Sequence, residues 1–230
     1  MMARNGALRA NGEDIMAQYR LHCIAQSGNA YKAALMLALC EADWEPVFVD
    51  FFNGEGRKAE WREAVNEMGE VPVLEHEGRR LSQSGVILTY LARRLGKFAP
   101  QGEEEELEAL RWILFDNHKF TSYFATYRFL YSLAPQPGDP AVMAFLKGRA
   151  DGAFAVAEKR LAARPFLLGE RPTIADISLA GYVFFPTEEH GYDFAASHPA
   201  IHAWKERLKM LPGWAGPYQL MPGEPFLAPR

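Results

Sequence analysis

Apolar positions fall into short extended runs in the first hundred residues and into helix-spaced stripes after them. Tyr19 to Ala25 (YRLHCIA) reads as a strand and closes on the turn residues Gln26-Ser27-Gly28-Asn29. From Ala30 to Ala42 the spacing of Ala33, Ala34, Leu37 and Ala38 predicts a helix with one small-residue face, suited to lie close against a sheet. Glu45-Pro46 ends the connection, and Val47 to Phe52, β-branched and aromatic, reads as the next strand. Strand, helix and strand make a βαβ unit, so these two strands are expected to run parallel with a right-handed crossover.

A polar helix over Glu60 to Glu67 follows, then strands at Val71 to His76 and Arg80 to Ser82 around the turn Glu77-Gly78, an antiparallel hairpin. Ser84 to Leu95 carries Ile87, Tyr90, Leu91 and Leu95 at helical spacing and stops at Gly96. Beyond the Gly-, Pro- and Lys-containing stretch from Gly96 to Gly102 the pattern is helical throughout. One helix opens on Glu103 to Glu106, where the macrodipole favours acids, and runs to about Leu133. Pro135, Pro137 and Pro140 break it, and a second runs from Pro140 to Ala163. Thr173-Ile174-Ala175-Asp176 is a capping signal before the apolar run Ile177 to Phe185, and Pro199 to Leu211 is a last helix, followed by a Pro- and Gly-rich tail. The fold class is therefore an α/β unit, βαβ-α-ββ-α, followed by an all-helical one. The chain divides into a flexible extension (1–17), an α/β domain (18–96), a linker (97–102) and a helical domain with its tail (103–230).

Composition narrows the function. With 25 Lys+Arg against 29 Asp+Glu the net charge is −4, which disfavours nucleic acid as the main partner. The longest apolar stretches, Ala33 to Cys40 and Ile177 to Phe185, are too short to cross a membrane, and the polar N-terminus lacks a signal-peptide core. Two cysteines, Cys23 and Cys40, cannot build a secreted disulfide framework and form no C-x-x-C pair; both read as small buried hydrophobes. His198 and His202 are four apart but have no evident partner ligand, so no metal site is expected.

Four motifs in order give the chain a family resemblance: Ser27-Gly28-Asn29-Ala30-Tyr31-Lys32 at the end of the first strand, Gly69-Glu70-Val71-Pro72-Val73-Leu74, Gln83-Ser84 opening a helix, and Thr173-x-x-Asp176 capping a buried one. In this it resembles the cytosolic glutathione S-transferase superfamily, over roughly Tyr19 to Trp214, and is similar to its bacterial serine-type (theta-like or nu-like) members. The resemblance implies a thioredoxin-like N-terminal domain that binds glutathione as co-substrate, and a helical C-terminal domain that walls a pocket for a small hydrophobic electrophile. It also implies a cytoplasmic homodimer active in detoxification. The sequence departs from many relatives in carrying Asn66-Glu67 where they have Asn-Pro, and from some bacterial classes in carrying Ala30 where they place a cysteine.

On this resemblance the catalytic candidates are Ser27 and Asn29, either of which can hydrogen-bond the glutathione sulfur and favour its thiolate. Without help only a few per cent of a thiol with a pKa of about 8.5 is ionised at neutral pH. Val71 and Pro72, joined by a cis peptide, would expose the Val71 backbone to the cysteinyl backbone of glutathione. Ser84 and the helix it opens suit the γ-glutamyl carboxylate, and Gln83 the α-amino group. Arg57, Lys58 and Arg62 are alternatives for the glycyl carboxylate. Tyr123, Tyr127 and Arg128 are candidates for the electrophile pocket, with core packing the default for most of the aromatics. Two other readings stand beside the transferase: a glutathione-dependent disulfide reductase, and a non-catalytic glutathione-binding or regulatory protein.

Overall fold

Strand β1 (Tyr19–Cys23) runs through the middle of a four-stranded sheet of order β2-β1-β3-β4. That position accounts for its composition, because Tyr19, Leu21, His22 and Cys23 are all buried and only Arg20 is partly open. The computed structural model describes residues 17–225, so most of the expected N-terminal extension lies outside the described residues. Strand β2 (Trp44–Phe48) pairs parallel to β1, from Tyr19 opposite Trp44 to Cys23 opposite Phe48. It starts three residues before the predicted strand and takes in Glu45-Pro46. Pro46 is tolerated because β2 is an edge strand and no neighbour needs its missing N–H. β1 ends at Cys23, so past Val49, whose N–H bonds the Cys23 carbonyl at 3.0 Å, Asp50 to Phe52 have no strand to pair with and form a loop. Strand β3 (Val73–His76) is antiparallel to β1, and β4 (Arg79–Ser82) to β3. Glu77 and Gly78 both take positive φ, as a two-residue hairpin turn requires.

Helix α1 (Gly28–Leu39) covers one face of this sheet, and almost every residue in it is buried. Helix α2 (Ala59–Ala64) is short, and α3 (Ser84–Leu95) ends on Gly96 with φ 68°. The long predicted helix runs without a break in the chain but changes pitch along its length. It consists of α4 (Gly102–Phe115), a π-helical turn at Asp116–Phe120, α5 (Thr121–Arg128) and a second π-helical turn at Phe129–Leu133. Helix α6 (Pro140–Ala162) is capped by Asp139, whose carboxylate accepts from the Ala141 and Val142 N–H groups. Helix α7 (Ile174–Val183) is buried at all ten residues, so its ends must be satisfied internally. The predicted capping box does this: Asp176 accepts from the Thr173 N–H at 2.9 Å, the Leu167 N–H at 2.9 Å and the Trp204 indole at 3.0 Å.

Helices α8 (Phe194–Ser197) and α9 (Pro199–Lys209) close the helical part. The residues after it do not trail away as a tail. A further turn, α10 (Pro217–Leu220), leads to a buried Met221, and the chain returns to β1, where the Ala25 N–H bonds the Pro222 carbonyl at 2.9 Å.

The two parts meet where α1 crosses α7. A Cβ on Gly28 would lie 2.6 Å from the Gly181 carbonyl oxygen, and one on Gly181 would lie 2.8 Å from the Gly28 carbonyl oxygen. Beside this crossing a buried network holds them together. The Lys32 ammonium donates to Asp116 at 2.6 Å and to Thr121 at 3.2 Å, and Ser178 donates to the same Asp116 carboxylate at 2.5 Å.

Candidate functional site

The turn after β1 places Ser27 at the N-cap of α1, in extended backbone (φ −86°, ψ 107°), with its Oγ accepting from the Ala30 N–H at 3.1 Å. A hydroxyl has two lone pairs and one proton, so capping the helix leaves the Ser27 O–H free to donate outward. Asn29 comes next but one, after Gly28. Its side-chain Oδ1 is buried and has no partner among the described residues.

The second strand end comes from the bend at Gly69 to Val73. The Val71–Pro72 peptide is cis. The sheet ladder starts at Val73 opposite His22, so Val71 stands just outside it. Asn66 shapes the bend: its amide donates to the Glu70 carbonyl at 2.9 Å and its carbonyl accepts from the Met68 N–H at 3.2 Å. Gln83, at φ 67°, turns the chain from β4 into α3 and donates to the Glu70 carboxylate at 3.2 Å. Ser84 is buried as the first residue of α3.

These pieces converge on two adjoining cavities. The larger, about 270 Å³, is lined by Ser27, Asn29, Val71 and Glu70 on one side and by Ala125, Arg128, Phe129 and Tyr182 on the other. Phe51 and Phe52, both about 40% exposed, also line it. The smaller, about 40 Å³, is polar and is lined by Asn29, Asn66, Glu70, Val71, Pro72, Gln83, Ser84 and Asn117. Asn29, Glu70 and Val71 belong to both, so all six predicted site residues meet in one continuous recess. Arg57, Lys58 and Arg62 line neither cavity. Of the three predicted pocket residues, Arg128 reaches the larger cavity, whereas Tyr123 pairs with Arg149 at the surface and Tyr127 stacks on Tyr131.

Arg128 is buried and already neutralised. Its guanidinium bonds Glu189 through Nε at 2.9 Å and through Nη2, lies 3.6 Å from the centre of the Phe185 ring, and donates through Nη1 to the Gln26 carbonyl at 2.8 Å. It therefore fixes the residue just before Ser27 rather than offering free charge. Glu189 and Tyr182 escaped the sequence reading. Tyr182 is tied to the site by its contact with Gly28 across the two parts, and Glu189 through Arg128, which reaches the Gln26 carbonyl; no local motif announces either. Burial pushes the Cys23 thiol up to about 12 and the Cys40 thiol up to about 11, so neither is a nucleophile at neutral pH. Among the described residues no group of three or more metal-binding side chains is assembled, and no helix is long and apolar enough to cross a membrane.

Comparison with known proteins matches this geometry to a family. Residues 17–93 match the family model of the glutathione S-transferase N-terminal domain, and residues 140–207 that of the glutathione S-transferase C-terminal domain. A solved glutathione S-transferase from Pseudomonas fluorescens Pf-5 is 32% identical, with 88% of this chain and 100% of that one covered at a TM-score of 0.81. Among curated proteins, glutathione S-transferase F14 of Arabidopsis thaliana is 28% identical over 210 residues, covering 86% of this chain and 82% of that protein. The disulfide-bond oxidoreductase YfcG of Escherichia coli (strain K12) is 27% identical over 195 residues, covering 82% and 89%.

Proposed function

The chain belongs to the glutathione S-transferase superfamily, and from that membership we propose that it binds glutathione in the recess described above and transfers the thiolate to a small apolar electrophile. The observation that carries the reading is the convergence of Ser27, Asn29, Val71, Pro72, Gln83 and Ser84 on one recess whose outer wall is aromatic. The Val71 backbone pairs with the cysteinyl residue as a short antiparallel strand. Ser84 and the positive end of α3 take the γ-glutamyl carboxylate, and Gln83 with the adjacent Glu70 carboxylate takes the ammonium. This leaves the sulfur at the Ser27 turn. The Ser27 O–H donates to it and favours the thiolate. The sulfur then bonds to the electrophilic carbon, the leaving group departs with its electron pair, and the thiol proton passes to solvent.

Phe51, Phe52 and Phe129 at the mouth suit an aromatic or otherwise apolar acceptor. Calorimetric titration with glutathione tests the reading, and saturable binding that Val71→Pro weakens is the expected result. No binding by the wild-type protein overturns it. A second reading, reduction of disulfides, is favoured by the likeness to the YfcG oxidoreductase. With both protein thiols buried, such a reaction runs on glutathione alone. One glutathione thiolate attacks the disulfide, forming a mixed disulfide and expelling one thiolate, and a second attacks the glutathione sulfur of that mixed disulfide, expelling the other thiolate and leaving as oxidised glutathione. Turnover of a chlorinated aromatic against turnover of a mixed disulfide separates the two.

The active form is proposed to be a homodimer. Leu107, Leu110 and Leu114 form an apolar stripe along α4 and are 61%, 51% and 60% exposed. With Thr89 and Ala92 of α3, Leu107 and Leu110 line a shallow concavity of about 280 Å³. A second copy of this surface is the occupant proposed for it.

A further inference from the structure

Tyr182 is the one residue of the deeply buried helix α7 that lines the larger cavity together with Ser27 and Asn29. Its ring packs through Cδ2 and Cε2 against the start of α1. A Cβ on Gly28 would come within 2.4 Å of Tyr182 Cδ2 and 2.5 Å of Cε2, so only glycine admits the ring there. The phenol oxygen faces the backbone N–H groups of Gly28 and Asn29, the first donors of α1, which no helical carbonyl can satisfy.

We propose that Tyr182 is a second hydroxyl donor to the sulfur of bound glutathione, reaching it from the helical part and relaying the positive end of α1. The proposal rests on the glutathione-binding reading given above. A hydroxyl beside the positive end of a helix is a stronger donor through its own O–H, because the leading N–H groups draw charge from its oxygen. Burial raises the phenol's pKa, so it keeps the proton it must offer. The charged groups facing it are Arg128 of α5, 5.9 Å from the ring, and Asp116 of the first π-helical turn, whose opposite signs act on the phenol in opposite directions.

The test is the pH titration of thiolate ultraviolet absorbance in the glutathione complex. Tyr182→Phe keeps the ring on Gly28 and removes only the donor. The expected result is a bound-thiol pKa higher by about one unit, with the affinity for S-methylglutathione unchanged. An unchanged thiol pKa with glutathione still bound overturns the proposal and leaves the functional reading intact. Absence of glutathione binding by the wild-type protein overturns both. Should Tyr182→Phe fail to fold, the Ser27→Ala/Asn29→Ala double variant decides. In that background 3-fluorotyrosine at position 182, a stronger donor of the same shape, makes the bound thiol more acidic if the phenol donates to it and leaves its pKa unchanged if it does not.

Discussion

Ser27 accepts from the Ala30 N–H with its hydroxyl oxygen and faces the recess, where the proposed reading has it donate its proton to the sulfur. Ser27→Ala removes both. Loss of the cap costs about 1 kcal/mol of stability, and loss of the donor raises the bound thiol's pKa by about one unit, one charge-assisted bond being worth about 1.5–3 kcal/mol. The rate at pH 7 is expected to fall roughly tenfold and to recover partly as pH rises, measured as a pH–rate profile beside wild type. A second residue sets the response to acid. The His190 ring donates from Nε2 to the Phe185 carbonyl and accepts at Nδ1 from the Tyr192 N–H, an arrangement only the neutral ring can hold. Burial lowers its pKa to about 4. Above about pH 6.5 it is neutral folded and unfolded alike, but as pH falls from there toward 4 the unfolded chain takes up a proton that the folded one refuses. Stability therefore drops across that window, by on the order of 3 kcal/mol from this group. Urea midpoints at pH 7 and pH 5 check the loss, which should shrink in His190→Gln. Burial lowers His22 and His76 in the same direction. The site residues near Ser27, Val71 and Gln83 are legible in the sequence because each lies in a turn, bend or helix start written in adjacent positions. Tyr182 and Glu189 are not, since their place in the site depends on how distant helices cross.

Elements whose ends carry their own chemistry come out of the sequence nearly to the residue, and α3 and α7 are the clearest cases, fixed by Gly96 and by the Thr173–Asp176 box. The misplaced element is β2. Its composition points to Val47 to Phe52, but its extent is set by pairing with β1, which lies a helix away in the chain. The π-helical turns at Asp116–Phe120 and Phe129–Leu133 go unread in the apolar period, because the aromatics of this segment lie all round the helix and leave no single stripe whose rotation could be seen. Two predictions belong at this scale. Asp176→Ala leaves the Thr173, Leu167 and Trp204 N–H donors buried without acceptors, each at about 1–3 kcal/mol, so a loss of at least about 3 kcal/mol is expected by chemical denaturation. An unchanged midpoint would contradict the burial of this box. Gly28→Ala sets a methyl against the Tyr182 ring and the Gly181 carbonyl, so it should force α1 and α7 apart and lower the melting temperature by several degrees.

At the scale of the whole molecule, the apolar stripe of α4 and the return of the last residues to β1 have different consequences. If α4 packs against a second copy, sedimentation at micromolar concentration gives about twice 25.9 kDa, and Leu110→Glu, which buries a charge in that contact, gives the single-chain mass with the melting temperature of the isolated fold little changed. In the sequence the proposed dimer rests on the family resemblance alone, because the exposure of the α4 leucines depends on how that helix packs. The returning chain reads as a tail in the sequence, since Pro and Gly mark a turn equally whether the residues after it pack or drift. Beyond Met221, the Pro222 carbonyl takes the Ala25 N–H, and the Glu224 carbonyl takes the Gln26 side chain at 2.7 Å, both within two residues of Ser27. During translation, β1 and its turn leave the ribosome first, yet the strands that flank them cannot supply these bonds. The turn that carries Ser27 is completed only when residues about two hundred positions later emerge. A nascent chain stalled before residue 221 can thus form its sheet and still hold an unfinished sulfur site, so glutathione capture by ribosome-bound intermediates would report how much of the protein has been made.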